Sequence, residues 1–522
     1  MADRQLDVLF VNPNSSKKVY QDLSKDFSAI EVPVWSLLLA ESCRRAGFWV
    51  HILDCDAQRL DLGAAHIVND INPRLVCFVV YGQNPNSGTT NMTGALALAK
   101  VIREWYPFLP ICFVGSHTQA LPLDVLSNDC VDFVLLNEGV YALQNLLMGD
   151  LTDEEHLSKV RGIGWKSEDC YPCDGGSVGG LVPHLNEPEK VVGELALPSD
   201  LPGYAWDLLP KKEKPLDLYR SHFWHADFQY EYRTPAAAIY TSLGCPYKCN
   251  FCMINNLNRH TNDSNWSAAD SAKIRYFPTG MVLRELDKLV HMGVRTIRIS
   301  DEMFFLNKNH YVPLLEGIRE RYRDSLRLWA YARVDTVKSQ YLKLFREAGV
   351  RWLALGIETA SQTIRREVSK GSYQEVDVRR VVKEIQDAGI NVIANYVFGL
   401  PDDDMKSMQE TLDLSIELNA EMWNAYPIMA LPGSPLHRIA KEKGWPLPDS
   451  FEGYSFHSYE CLPLQTKYLS SAEVLKFRDE AFHKYFERPE YLSMIEGTFG
   501  GVARKNIEEL TKVKLKRKLL GD

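Results

Sequence analysis

Along residues 1–148, short uninterrupted apolar runs alternate with longer stretches in which apolar positions recur every three to four residues. A continuous apolar run bounded by turn formers predicts a strand buried on both faces, and recurrence at the helical period predicts an amphipathic helix. Strands are expected at 6–12, 48–54, 74–80, 110–115 and 131–136, with helices such as 34–46 and 92–106 between them. Five strands alternating with helices predict an α/β fold, a doubly wound parallel sheet of the Rossmann or flavodoxin kind. In such sheets ligands bind beyond the carboxyl ends of the strands. The loops at 13–17, 81–90 and 116–120 are therefore where a cofactor is expected.

The alternation fails between 149 and 233, a stretch read as a linker. Within it, Cys170-Tyr-Pro-Cys-Asp-Gly-Gly-Ser-Val-Gly-Gly180 is rich in turn formers and reads as a hairpin or exposed loop. Its Cys170 and Cys173 have redox-pair spacing, but Gly-Gly-Ser cannot open the helix such a pair needs. The following run 223–233 holds five aromatics in eleven residues, the composition of an interdomain seam or a pocket border. From 234 to 435 the pattern resumes, with strands expected at 236–243, 294–300, 326–332, 351–357, 391–398 and 422–429. Helices such as 281–292 and 373–388 separate them, which predicts a partial (β/α)6 barrel of the TIM type. Residues 436–522 read as mainly helical, including 471–485. Their aromatics Trp445, Phe451, Tyr454, Phe456 and Tyr459 are placed as a cap on the barrel mouth, and Cys461 as packing.

Composition narrows the class without naming the chemistry. A chain of 522 residues, 45% apolar and 24% charged, has room for three or so globular domains. Its net charge of −9 argues against a nucleic-acid partner. The one basic run, 512–518, reads as a solvated helix end. The N-terminus enters a strand without signal-peptide pattern, and no apolar stretch reaches the roughly 18 residues of a membrane span. The eleven cysteines are accordingly expected in a reducing cytoplasm.

The chemistry is concentrated in Tyr240-Thr-Ser-Leu-Gly-Cys-Pro-Tyr-Lys-Cys-Asn-Phe-Cys252. Cys245, Cys249 and Cys252, on the loop after the first barrel strand, can hold three irons of a cubic cluster and leave one iron open. A zinc site would need a fourth ligand, and the nearest histidine, His260, stands eight residues on and unpaired. The cysteine spacing, with Phe251 before the third cysteine, resembles the signature of the radical S-adenosylmethionine (SAM) enzymes. That resemblance implies a [4Fe-4S] cluster whose open iron is chelated by SAM, and an electron donor such as flavodoxin or ferredoxin.

Upstream, Val11-Asn-Pro, Val32-Pro-Val, Arg45-Ala-Gly-Phe, Val114-Gly-Ser-His-Thr and Val131-Asp-Phe-Val-Leu-Leu-Asn-Glu-Gly139 come in an order similar to the cobalamin-binding domain that precedes many radical SAM cores. The resemblance implies cofactor contacts at Asn84, Ser116 and His117. The Asp-x-His-x-x-Gly loop of cobalamin mutases is missing, so a cobalt-ligating histidine of that kind is not expected.

By the same resemblance, several barrel strand ends would hold SAM. Asp301 and Glu302 in Ile299-Ser-Asp-Glu-Met-Phe304 would accept from its ammonium, and Arg333 would pair with its carboxylate. Glu358 in Leu355-Gly-Ile-Glu-Thr-Ala-Ser361 stands where the family's Gly-x-Glu-Ser-Gly-Ser contacts SAM, although Thr359 and Ala360 replace Ser-Gly. Gly399 in Val397-Phe-Gly-Leu-Pro401 would admit the adenine to the backbone. The usual Gly-Gly-Glu element is absent, with Ser300-Asp-Glu-Met in its place. The function implied is methyl transfer to an unactivated carbon of a small molecule or biosynthetic intermediate. A hydrogen would be abstracted by the 5′-deoxyadenosyl radical, and the methyl group delivered from methylcobalamin. The alternatives are a non-methylating cyclase or rearrangement enzyme with the same cofactors, and a non-catalytic cobalamin sensor. A methylthiotransferase would be expected to carry three more N-terminal cysteines and an RNA-binding barrel, and neither pattern is present.

Overall fold

The computed structural model describes residues 5–522 except 83–84, 174–175, 194–196, 264–266 and 369–375. The first sheet contains β1 (Val8–Asn12), β2 (Val50–Asp54), β3 (Val76–Val79), β4 (Ile111–Val114) and β5 (Phe133–Leu135). These pair in parallel in the order β2-β1-β3-β4-β5, so the strand order reverses between β1 and β3. The apolar runs have their reason here, because the central strands β3 and β4 are fully buried along their length, with helices covering both faces. The hairpin read between 149 and 233 is present as β6 (Ile163–Cys173) and β7 (Gly176–Leu185). It is no detached loop: β6 pairs antiparallel with β5 and extends the sheet to seven strands. Cys170 and Cys173 both lie on β6 and precede no helix.

The second sheet orders β8 (Ala236–Ile239), β11 (Thr296–Ile299), β12 (Arg327–Arg333), β13 (Val350–Glu358), β14 (Asn391–Phe398) and β15 (Met422–Pro427) side by side in chain order, all parallel. This is the open six-stranded barrel that the periodicity predicts. Between β8 and β11 lies a ribbon that the periodicity hides. Here β9 (Ser242–Cys245) pairs antiparallel with β10 (Lys273–Tyr276), so the cysteine loop leaves a short second strand and not β8 itself.

The aromatic run 223–233 plugs the amino end of the barrel. Trp224 packs on Trp329 and Trp352 at 5.2 and 5.4 Å, His225 Nε2 lies 3.1 Å from the Arg327 carbonyl, and Phe228 meets Phe499 at 4.9 Å. The C-terminal helices Ser471–Phe486, Pro489–Phe499 and Gly501–Lys512 close the same side, where Tyr485 and Tyr491 donate to the carbonyls of Ala420 and Glu421. Among the cap aromatics, Phe456 meets Tyr426 of β15 at 4.9 Å and Phe451 meets His117 of the first domain at 5.1 Å. Tyr459 does not join them, being exposed and bonded to the terminal Asp522 carbonyl. Cys461 is buried against Met429 and Leu475.

Gly399 shows why a strand-end glycine is needed here. Its φ is +81°, and a Cβ would stand 2.5 Å from Val474 of the C-terminal helix. Gly399→Ala should cost about 1–3 kcal/mol through strain and overlap, read as a lower urea midpoint. Adding Val474→Ala should restore the steric part only.

Candidate functional site

The cysteine loop is stapled from within and from outside. Asn255 accepts the Cys245 N–H at 3.0 Å and donates to the Tyr247 carbonyl at 3.3 Å, while the Cys252 N–H closes a turn onto Cys249. Phe251 packs against the apolar group containing Val397, Leu400 and Ile428, beneath the ends of β14 and β15. The three thiols are half-buried and free of disulfides. Burial pushes Cys245 up to about 12 and Cys249 up to about 11, so the metal-free thiols hold their protons near neutral pH. A cubic cluster offers each of three thiolates its own iron.

Three strand ends bring charged groups to this loop. Glu302, after β11, is pushed up to about 8, first by burial and further by Asp301, against the attraction of Arg298. Its Oε1 is buried with no partner among the described residues, and its charge is felt at Cys245 and Cys252. Asp301 is committed elsewhere. It is fully buried and accepts from the Thr241 N–H and hydroxyl and from the Ser242 hydroxyl at 2.5 to 2.6 Å. It therefore braces the start of the cysteine ribbon.

Glu358 ends β13 at φ +66°, where the register with β14 slips. A left-handed non-glycine residue is strained, and here the turn aims the carboxyl inward. Gly356 makes room for it, since a Cβ there would lie 2.8 Å from Glu358 Oε1. Burial lifts Glu358 to about 7 against the pull of Arg333 and Arg365, and its charge reaches Cys249. Arg333 donates to Asp335 at 3.1 Å and stacks on Tyr247, inside the cysteine motif, at 3.8 Å. The Gly399 N–H donates to Asp403 at 3.1 Å, and a Cβ on Gly399 would face Val474.

Beyond these strand ends lies a cluster of charged and aromatic side chains that the sequence did not disclose. Glu31, from the first domain, pairs with Arg298 of β11 at 2.6 Å, and Arg298 also stacks on Trp329 and Tyr331. Tyr20 meets His457 at 5.5 Å, and His457 adjoins Phe456 and through it Tyr426. Burial raises the phenols of Tyr20 and Tyr426 and keeps His457 neutral. No motif marks these residues, because they come from three distant segments.

The first domain meets the cysteine loop directly. Asn256 donates to the Ser116 carbonyl at 3.1 Å, Arg259 to the Gln119 carbonyl at 3.1 Å, and Asn86 accepts the Met253 N–H at 3.2 Å. Ser116 is fully buried, and His117 lies beside it with Nδ1 3.1 Å from the Thr89 hydroxyl. Asn84 falls outside the described residues.

Two family patterns match the chain, the B12 binding domain over residues 24–147 and the Radical SAM superfamily over 239–415. The chain joins a B12 binding domain to a radical SAM domain. An uncharacterized methyltransferase of Pyrococcus horikoshii is 23% identical over 452 residues, 85% of each chain. The anaerobic magnesium-protoporphyrin IX monomethyl ester cyclase of Cereibacter sphaeroides is 21% identical over 488 residues, 90% of this chain and 68% of the relative. The structure of TsrM, a radical SAM methyltransferase from Kitasatospora setae, superposes with a TM-score of 0.64 at 16% identity, covering 97% of this chain and 99% of that one. At that identity the likeness shows the fold.

The radical SAM domain implies a [4Fe-4S] cluster and SAM, and the B12 binding domain implies cobalamin. The residues present fit such groups. Three thiols with no fourth cysteine beside them among the described residues suit a cluster with an open iron, and Glu302 Oε1, buried without a partner among those residues, suits an ammonium. Beyond β4 and β5, Thr118 Oγ1, Gln119 Nε2 and Asn137 Oδ1 are buried without partners among the described residues, as a cofactor rich in amides and phosphate would use. No described helix is long and apolar enough to cross a membrane.

His117 carries a pH signature. Burial lowers it to about 3, with His437 adding to the effect, so folded His117 stays neutral while the unfolded residue protonates near its ordinary value. Its contribution is complete above the unfolded value and is lost as pH falls toward the folded one. His117→Gln should flatten the acid-side loss of stability by about 2 kcal/mol between pH 6.5 and 5, measured by urea unfolding at both.

Proposed function

We propose that this protein methylates an unactivated carbon of a small molecule held where its two domains meet. The observation that carries the reading is that the cysteine loop and the cofactor loops of the first domain touch, at Asn86–Met253 and Ser116–Asn256. Chemistry needing both cofactors on one substrate requires such a junction. In this reading Cys245, Cys249 and Cys252 ligate the cluster, which supplies the electron that cleaves SAM. Glu302 accepts from the SAM ammonium, Glu358 contacts SAM at its strained strand end, and Arg333, steadied by Asp335 and Tyr247, receives the carboxylate. Ser116 and His117 line the cobalamin side. The electron comes from a flavodoxin or ferredoxin in a reducing cytoplasm.

The test is anaerobic reconstitution with iron, sulfide and cobalamin, followed by product analysis with SAM and extracts of candidate substrates. Methylation requires S-adenosylhomocysteine to accumulate alongside 5′-deoxyadenosine, with the label of methyl-labelled SAM in the product. A cyclase or rearrangement enzyme, a reading favoured by the cyclase among the relatives, gives 5′-deoxyadenosine alone. A preparation that binds no cobalamin sinks the two-cofactor reading.

A further inference from the structure

Asn86 belongs to the cobalamin-binding domain, in the short turn Pro85–Ser87 after β3, yet its amide stands against the third cysteine of the other domain. Its Oδ1 accepts the Met253 N–H at 3.2 Å, which fixes which end of the amide is oxygen. Its Nδ2 then stands 3.8 Å from Cys252 Sγ. In the free thiol the sulfur lies 3.9 Å from Oδ1 as well, so the contact has two directions open to it. A ligated cysteine is a thiolate with no proton to give, and only the amide N–H to sulfur direction survives. Met253 is fully buried, so the acceptor end of the amide is held on a rigid support.

From this geometry we infer that Asn86 is a positioning residue of the cluster: the cobalamin-binding domain reaches across the junction and donates a hydrogen bond to the Cys252 thiolate, setting how readily the cluster accepts its electron. The inference rests on the cysteine triad being the cluster ligand set. One-electron reduction of a [4Fe-4S]2+ cluster adds a negative charge shared over its sulfurs, so a donor to sulfur stabilises the reduced form more than the oxidised one.

The experiment is an anaerobic redox titration of the reconstituted full-length protein, followed by electron paramagnetic resonance of the reduced cluster, for wild type, Asn86→Ala and Asn86→Leu. The leucine variant keeps the volume at the contact while removing the donor. Iron and sulfide content should match wild type in both, and the reduction equilibrium should shift about tenfold toward the oxidised cluster, about 59 mV for a one-electron couple. A fully loaded variant with wild-type potential overturns the inference, because a residue that merely braces Met253 would leave the potential in place. Loss of the cluster from both variants also overturns it, assigning Asn86 to folding of the loop. Failure of the wild-type protein to load a cluster is a different result, which removes the ligand assignment itself.

Discussion

Replacing Cys249 with alanine is expected to abolish cluster assembly and SAM cleavage together. With two thiolates left on the loop and no other cysteine beside them among the described residues, the cluster loses one of three protein ligands without a substitute. The replacement is otherwise mild. Cys249 is half-buried on a loop whose geometry is held by Asn255 and by Phe251, so the fold should survive. The expected outcome is a folded protein with little bound iron, no 5′-deoxyadenosine after incubation with SAM and reductant, and unchanged cobalamin binding, each measured on one preparation. A non-catalytic cobalamin sensor would keep its function in this variant, so the substitution also separates enzyme from sensor.

The second large effect is structural and lies at the junction. Arg298 points into the barrel with 3% of its side chain exposed, and Glu31, at 15%, is its ionic partner across the two domains. Glu31→Gln should lower stability by about 3–5 kcal/mol, because a buried guanidinium left unpaired cannot recover its hydration. His222, 3.8 Å from Glu31 and held neutral at about 3 by burial and nearby arginines, offers no negative charge in exchange. Replacing both partners, as Glu31→Leu with Arg298→Met, should cost far less, and urea unfolding of the three variants reads the difference. The larger loss in the single variant identifies desolvation, and not lost packing, as the cause.

The β/α alternation was legible because parallel strands covered on both faces must be apolar throughout, which gives β3 and β4 their unbroken runs. The cysteine motif was legible because three of its ligands are local. What escaped was what has a short or broken period. The β9–β10 ribbon is only four residues on each side, and the hairpin, read from its turn formers, is too rich in glycine to show the alternation that would announce its pairing with β5. Asp301 was placed at the right strand end, but a strand end does not say which way a side chain turns, and Asp301 turned to Thr241 and Ser242.

By itself the sequence determined the order of two α/β units, the three-thiol loop after the first barrel strand and the charged residues at its neighbouring strand ends. These are properties of spacing along the chain, and spacing survives without coordinates. Only the tertiary structure decided that Glu302 keeps an oxygen without a partner among the described residues while Asp301 does not, and that Glu31 of the first domain pairs with Arg298 of the barrel. It likewise decided that Asn86 reaches Cys252 from 166 residues away. The physical reason is that a hydrogen bond or ion pair between distant segments depends on distance and direction in space, which no periodicity along the chain encodes.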